Sequence, residues 1–218
     1  MGVHYEHDHF FHLAKKEGYR ARSVYKLKEI QKKFKPLRPG MRVVDLGAAP
    51  GSWTQYLAEV VGRQGKVVAV DLHTMTGGLP RQVEVVKGDA FKMTAEELES
   101  LAGGTIDGVY SDMAPKTSGM KQVDHLRSVA LCERAMYLAD RVLPLGGTLV
   151  VKIFQGADLS GYRSALGSRY QKVRLFKPKS SRRDSVEIFL VAESFKGAPE
   201  EAEHPPLPDT SLYDPRAD

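Results

Sequence analysis

The chain has 218 residues, a formal net charge of +5 and a single cysteine, Cys132. One cysteine excludes an intrachain disulfide and any cysteine-based zinc framework, which favours a reducing, cytoplasmic environment. No segment approaches the ~20 apolar residues needed to span a bilayer, and the N-terminus has no apolar run of signal-peptide length. We therefore expect a cytoplasmic protein without membrane association.

The positive charge is concentrated in two segments. Residues 1–39 contain ten Lys or Arg against four acids, and residues 163–183 contain eight and no acid. Residues 197–218 carry six acids and one Arg, so the rest of the chain has a charge of +10. Two basic segments beside a mixed domain indicate a polyanionic partner such as nucleic acid, with an ordinary solvated surface as the alternative.

The first predicted element is a helix. After a polar start, Val24, Leu27, Ile30 and Phe34 recur at near-helical spacing, with Ser23 placed as an N-cap. Proline and glycine at positions 36, 39 and 40 end this helix. Residues 1–38 are therefore predicted to be a basic helical segment, and their charge makes them part of the face expected to bind nucleic acid.

Short β-branched runs then alternate with helical stretches over residues 39–196. The runs cover residues 41–46, 66–72, 83–89, 107–115 and 148–154. Strands that alternate with helices predict parallel pairing, and continuously apolar strands predict helices on both faces of the sheet. The fold class is therefore a doubly wound, mostly parallel α/β domain.

Two further runs, at 170–178 and 186–194, are joined by a polar loop with no helix between them. This arrangement predicts a late antiparallel hairpin at the sheet edge and brings the number of strands to seven. Residues 197–218 are acidic, rich in proline and poor in apolar side chains, a composition typical of disorder.

The turn at the end of the first strand, Asp45-Leu46-Gly47-Ala48-Ala49-Pro50-Gly51-Ser52-Trp53, opens a helix. It lacks the G-x-G-x-x-G spacing of dinucleotide sites and the Lys of a phosphate loop. It therefore indicates a closely approached ligand without a phosphate, with Trp53 available to lie on a flat ring. The alternative is that the glycines only make a tight turn and Trp53 only packs.

Carboxylates follow the next two strands, Asp71 and Asp89. In open α/β sheets ligands bind beyond the C-terminal strand ends, and a carboxylate there accepts hydrogen bonds from ribose hydroxyls. One carboxylate on the sugar and one beside the base, without a phosphate site, favour S-adenosylmethionine over NAD or ATP. Each Asp alone could instead cap a helix.

The fourth strand ends in Ser-Asp112-Met-Ala-Pro, and the fifth carries Lys152 within the apolar run TLVVKIF. Neighbouring strands would place these two side chains together at the C-terminal rim. An isolated buried ammonium is costly, so Lys152 should have a carboxylate partner or a shifted pKa. The alternative is that its side chain reaches out to solvent.

Four motifs together, VVDLGAAPGSWTQYL, SDMAP, VVKIFQG and SVEIFLVA, resemble the FtsJ/RrmJ family of S-adenosylmethionine-dependent RNA 2′-O-methyltransferases. The resemblance runs from about Arg20 to Ala192, with one departure: Ser52 stands where a second glycine is expected. It implies a Rossmann-like methyltransferase fold. It also implies, as in the bacterial members, methylation of a uridine in the A-loop of 23S ribosomal RNA.

The resemblance also implies roles for individual residues. The family's catalytic tetrad matches Lys26, Asp112, Lys152 and Glu187. The residues that contact the methyl donor would be Gly51, Trp53, Asp71, Asp89 and Asp112. Lys152 would orient or deprotonate the ribose 2′-hydroxyl of the RNA. Asp112 and Glu187 would hold the Lys152 ammonium group in place. The residues alone do not distinguish Lys26 from Lys28, or Glu187 from Glu193.

Other hypotheses stay open at this point. A tRNA or cap ribose methyltransferase would share the chemistry, and a catalytically silent RNA-binding assembly factor would not need the tetrad. The candidate phosphate contacts are Lys15, Lys16, Arg20, Arg22, Lys32, Lys33, Arg182 and Arg183. The histidines at positions 4, 7, 9 and 12 fit no metal-ligand spacing, so no metal is expected. We also expect the protein to be a monomer.

Overall fold

A computed structural model describes residues 3–182 and 184–200, with side chains from residue 9 onward. The six helices of this part of the chain are α1 (Val3–Lys16), α2 (Val24–Phe34), α3 (Ser52–Val61), α4 (Ala95–Ala102), α5 (Lys121–Val142) and α6 (Leu159–Arg169). Its strands are β1 (Arg42–Leu46), β2 (Lys66–Asp71), β3 (Val83–Lys87), β4 (Gly108–Ser111), β5 (Thr148–Phe154), β6 (Tyr170–Phe176) and β7 (Glu187–Phe195).

The seven strands form one sheet in the order β3-β2-β1-β4-β5-β7-β6. Strands β1 to β5 pair in parallel, whereas β7 is antiparallel to both β5 and β6. The prediction of a doubly wound, mostly parallel sheet with a late antiparallel hairpin is confirmed. Within that hairpin, β7 lies inside the sheet and β6 forms the edge.

Both faces of the sheet are covered by helices because the central strands are apolar on both sides. On one face Val43, Val67 and Val150 pack against α2 and α3. On the other, Val44 and Val109 pack against α4, α5 and α6. Alternation along each strand sends successive side chains to opposite faces, so a continuous apolar run fills two cores.

Helix α2 is part of this packing. Its Leu27 and Ile30 are fully buried in the cluster that contains Trp53 and Phe189. The predicted boundary at residues 38 and 39 therefore does not mark a break in the core. Ser23 does precede α2 as predicted, but its side chain makes no capping hydrogen bond to the helix.

None of the helices in the described residues combines the length and apolarity needed to cross a bilayer. Most of the segment predicted to be disordered, residues 201–218, lies outside the described residues.

Candidate active site

Lys152 and Asp112 meet at the C-terminal rim of the sheet. Ser111 ends β4 and is in register with Val151 of β5, so the residues that follow them lie abreast. Lys152 Nζ lies 2.9 Å from Asp112 Oδ1 and donates a 2.6 Å hydrogen bond to the Asp112 carbonyl oxygen. The Lys152 side chain is only 6% exposed. The prediction that this buried ammonium has a carboxylate neighbour is confirmed, and the pairing offsets its desolvation.

A second ion pair joins α2 to β7. Lys26 Nζ lies 2.7 Å from Glu187 Oε1, and both side chains are largely buried. Ser181 donates a 2.9 Å hydrogen bond to the same carboxylate oxygen. Glu187 was expected to hold the Lys152 ammonium together with Asp112. Among the described residues, the ion pair of Lys152 is with Asp112 and that of Glu187 is not with Lys152, so this expectation is wrong. The ionic partner of Glu187 is Lys26, because α2 packs over this part of β7.

The two ion pairs lie on one face of the sheet. Phe189 is the register partner of Lys152, and Glu187 lies two residues away on the same strand, so all three side chains project to one side. Diagonal neighbours of this kind have Cα atoms roughly 7–8 Å apart. Lys26 Nζ completes the group, 5.9 Å from the centre of the Phe189 ring. The fold therefore brings all four predicted catalytic residues into one cluster.

The structure also separates these residues from the two that sequence could not exclude. Lys28 points to another side of α2, where its Nζ lies 2.6 Å from Glu17 Oε2. Glu193 accepts a 2.6 Å hydrogen bond from Arg174. Each alternative residue therefore has an ionic partner of its own away from the cluster.

The glycine turn comes close to neighbouring backbone and side chains. Gly47 has φ +74°, and a Cβ there would lie 2.9 Å from Met113 Cα. Gly51 has φ +106°, and a Cβ there would lie 3.2 Å from Arg20 Cδ and 3.3 Å from Met75 Sδ. A side chain at either position would be strained by the positive φ, and at Gly47 it would also clash with the Met113 backbone. The turn is therefore built for close approach of backbone.

The carboxylates after β2 and β3 organise the loops around this turn. Asp71 accepts hydrogen bonds from the backbone N–H of Ala49, at 3.0 Å, and of His73, at 2.7 Å. Asp89 accepts one from the N–H of Phe91 at 2.9 Å. Each carboxylate oxygen has two lone pairs, so both residues can still accept hydrogen bonds from a ligand.

Of the two roles that the sequence left open for the Trp53 ring, the structure shows packing inside the protein. Its side chain is buried, and its ring stacks on Phe189 with 5.7 Å between ring centres. Its Nε1 donates a 2.9 Å hydrogen bond to the Ser23 carbonyl oxygen. The ring is therefore not available to lie on a flat ligand, because its polar and apolar surfaces are used inside the protein. A donor contact by this residue would come from its backbone.

Sequence reasoning missed Asp45, which lies on β1 beneath the glycine turn. Its side chain is fully buried, and Oδ2 accepts a 2.6 Å hydrogen bond from Thr54. Oδ1 has no hydrogen-bond partner. Burial raises the pKa of Asp45 to about 7; the Thr54 bond opposes this rise, and the carboxylates of Asp112 and Asp71 add to it. A lone carboxylate within the run VVDL was the available signal.

The loop between β6 and β7, residues 177–186, is attached to α2. Glu29 accepts hydrogen bonds from the backbone N–H groups of Lys179 and Ser180, at 2.7 and 2.8 Å. Arg22 donates a 2.7 Å hydrogen bond to the Ser180 carbonyl oxygen. This loop carries Ser181, so the attachment also fixes the surroundings of the α2–β7 ion pair.

The predicted phosphate contacts divide into two groups. Arg20 and Arg22 use their guanidinium groups on backbone carbonyls. The exposed candidates near α2 and the β6–β7 loop are Lys15, Lys16, Lys32, Lys33 and Arg182. Arg183 lies outside the described residues. These exposed cations lie beside or on α1 and α2 and in the β6–β7 loop, the loop that also carries Ser181.

Of the N-terminal histidines, His9 and His12 have described side chains. No group of three or more metal-ligating side chains comes together among the residues whose side chains are described.

Comparisons with known proteins agree with this geometry. A model of the FtsJ-like methyltransferase family matches residues 19–195. A protein named Ribosomal RNA large subunit methyltransferase E from Oleidesulfovibrio alaskensis is 48% identical over 197 residues, covering 90% of this chain and 95% of its own. Its namesake in Sorangium cellulosum is 48% identical over 191 residues, covering 88% and 89%.

Solved structures are similar as well. A crystal structure described as a ribosomal RNA methyltransferase from Plasmodium falciparum superposes with a TM-score of 0.71 at 30% identity. It covers 82% of this chain and 100% of its own. A structure from Clostridium thermocellum, described as an rRNA methylase, has a TM-score of 0.53 at 18% identity and covers 79% and 97%. At that identity the second likeness shows the fold alone.

Proposed function

The chain belongs to the FtsJ-like methyltransferase family, and on that premise we propose that it methylates a ribose 2′-hydroxyl in ribosomal RNA. The proposed target is a uridine in the A-loop of 23S RNA in the large subunit. The observation that carries the proposal is the cluster of two ion pairs at the rim, beside a glycine turn. Acidic and basic groups beside a site for a methyl donor suit the transfer of a methyl group to an oxygen.

S-adenosylmethionine is the proposed methyl donor, and the residues beside the turn fit it. Asp71 and Asp89 retain lone pairs for ribose and base, and the turn at Gly47 and Gly51 admits backbone to the ligand. The donor supplies a methyl carbon activated by a positively charged sulfur. Asp112 would contact it from the end of β4, next to Lys152.

Lys152 is the residue we assign to the hydroxyl. Its Nζ already contacts the carbonyl oxygen and one carboxylate oxygen of Asp112. Nitrogen on a lysine has four tetrahedral directions, one of them the side chain, so one direction is left for the 2′-oxygen. A neutral Lys152 would take the proton there, and a charged Lys152 would donate to the oxygen. In either protonation form, Lys152 would hold the 2′-oxygen in line with the methyl group.

RNA would approach across the exposed cations around α2 and the β6–β7 loop. Phosphate contacts of this kind are sequence-independent and weaken as salt displaces them. Affinity for RNA should therefore fall steeply between low and moderate salt. A nearly flat salt dependence would contradict this part of the proposal.

The choice of ribosomal RNA rests on the names of the relatives, which are about half identical to this chain over most of its length. We propose that a monomer carries out the reaction, since one chain supplies all four residues of the cluster. The proposed location is the cytoplasm, as expected from the sequence.

Labelled methyl transfer tests the proposal directly. Large ribosomal subunits, free ribosomal RNA and tRNA are offered in parallel with labelled S-adenosylmethionine, and the modified ribose is mapped. We expect one labelled uridine in 23S RNA. Label on tRNA alone would overturn the substrate, and label on a base would overturn the chemistry.

A further inference from the structure

Arg20 connects the glycine turn to the loop between β2 and β3. Its Nη1 donates a 3.0 Å hydrogen bond to the carbonyl oxygen of Pro50, within the turn. Its Nη2 donates to the carbonyl oxygens of Thr76, at 2.9 Å, and of Gly77. Both of these lie in the β2–β3 loop, residues 72–82, which follows Asp71. One side chain of the N-terminal segment therefore bridges the two loops.

The bridge is anchored at its own backbone. The Arg20 N–H donates a 2.9 Å hydrogen bond to the side-chain oxygen of Gln55, on α3. The same amide donates from Nε2 to the Gly18 carbonyl oxygen at 3.0 Å. Arg20 is therefore held relative to α3, the helix that begins at the glycine turn.

Packing accompanies the hydrogen bonds. Gly51 leaves room for both Arg20 and Met75, each within 3.3 Å of the position that a Cβ would take. Met75 belongs to the β2–β3 loop and is buried with Ala48 and Ala69. The Arg20 guanidinium thus adds hydrogen bonds to the β2–β3 loop, which already packs against the glycine turn through Met75.

The chemistry of the bridge is specific to arginine. Among the described residues no carboxylate contacts the Arg20 guanidinium, and its acceptors are backbone carbonyls. Hydrogen bonds from a charged donor are stronger than neutral ones, and the planar fork serves acceptors on both nitrogens at once. A lysine at this position offers one compact ammonium and cannot reproduce the fork.

We propose that Arg20 is a positioning residue for the methyl donor, holding the β2–β3 loop against the glycine turn and slowing the release of donor and product. The inference rests on the proposed function in one respect, the identity of the donor. It replaces the phosphate contact predicted for Arg20 from sequence, because the guanidinium is turned toward backbone carbonyls.

The first measurement is the dissociation rate of S-adenosylhomocysteine, the demethylated product, by stopped-flow displacement. We expect Arg20→Ala to raise this rate about tenfold, and Arg20→Lys to restore only part of the loss. In steady state the KM for the donor should rise while kcat stays close to that of the parent protein. The matched control is Arg38→Ala, an exposed arginine of the same segment. An unchanged rate in Arg20→Ala would overturn the proposal.

The second measurement needs no ligand. Hydrogen exchange of the β2–β3 loop amides should be faster in Arg20→Ala and unchanged in Arg38→Ala, with equal melting temperatures showing that both variants fold. If RNA affinity falls while exchange and product release are unchanged, Arg20 is a phosphate contact and the inference is wrong. If the parent protein does not bind S-adenosylhomocysteine, the proposed donor is wrong, and the exchange result still tests the bridge.

Discussion

The two ion pairs of the cluster are built by different parts of the fold. Lys152 and Asp112 lie at the ends of neighbouring parallel strands, where the strand register alone sets them side by side. Lys26 and Glu187 come from a helix and an antiparallel strand, and a loop attached to the helix surrounds them.

This difference indicates separate tasks for the two regions. The strand-end pair is buried and held by two contacts between Lys152 and Asp112, which suits a group that must be placed accurately against a reacting oxygen. The helix–loop pair is built from α2 and the β6–β7 loop, which also carry Lys32, Lys33 and Arg182. Under the proposed function it would stand between the reacting groups and the RNA. Breaking the first should remove chemistry, and breaking the second should disturb placement of the substrate.

Substitution of Lys152 should have the largest effect. Lys152→Ala removes the group that we assign to the ribose 2′-hydroxyl, and we expect single-turnover methyl transfer to fall about 1,000-fold or more. Donor affinity, measured by calorimetry, should change by less than about twofold, because backbone and carboxylates hold the donor. Lys66→Ala is the control, since this lysine starts β2 at the opposite end of the sheet. Turnover close to that of the parent protein in Lys152→Ala would contradict the assignment.

Asp45 extends the strand-end region into the core and should make stability depend on pH. Its folded pKa of about 7 lies above the ordinary value of 3.8. Between these values the folded protein keeps a proton that the unfolded chain has released, so stability is greatest at the acid end and is lost as pH rises toward 7. Urea unfolding at pH 5 and pH 8 should show a loss of about 2 kcal/mol from this group.

The matched variant for this measurement is Asp45→Asn, which keeps the shape of the neutral acid. Its unfolding free energy should lack this part of the pH dependence. An identical slope in both proteins would show that Asp45 does not titrate in this window.

Breaking the helix–loop pair should cost less activity. Lys26→Ala and Glu187→Gln should each lower turnover about tenfold, because each leaves its partner without an ionic contact. The double variant should be no worse than the poorer single one, since the two residues act together. Lys28→Ala, on the same helix but with a separate partner, serves as the control. Strictly multiplicative losses would mean that Lys26 and Glu187 act independently.

The smallest effect concerns Ser52, which departs from the family's glycine. Its hydroxyl lies 2.8 Å from the hydroxyl of Ser23, linking the starts of α3 and α2. Ser52→Ala should lower the free energy of unfolding by about 1 kcal/mol and leave turnover within about twofold. Ser168→Ala, an exposed serine bonded within its own helix, should lower it less.

Sequence predicted the strand-end region well because its signals are local. A charged residue within an apolar strand, such as Lys152, requires an ionic partner, and the order of the strands places Asp112 beside it. The alternation of strands and helices likewise determines that both lie at one rim. Asp45 is likewise a charged residue in an apolar run. Because it was interpreted only as the first residue of the turn, its burial was not predicted.

The helix–loop region was less predictable because its contacts depend on packing. Periodicity predicts α2 but not which of its lysines faces β7, and only the family resemblance selected Lys26. Trp53 shows the same limit: an aromatic residue after a glycine turn suits either a ligand or the core. Trp53 packs in the core because its ring stacks on Phe189, which is 136 positions further along the chain.

The position of β7 has a consequence for how the protein is made. β7 inserts between β5 and β6, although it is synthesised after both. A nascent chain that has reached residue 186 therefore carries β5 with an unpaired, apolar edge, the kind of surface that associates with other chains. The same last strand brings Glu187 to the cluster. Closure of the sheet and completion of the active site are thus a single late event in biosynthesis, and a chain interrupted before β7 would be both inactive and prone to aggregate.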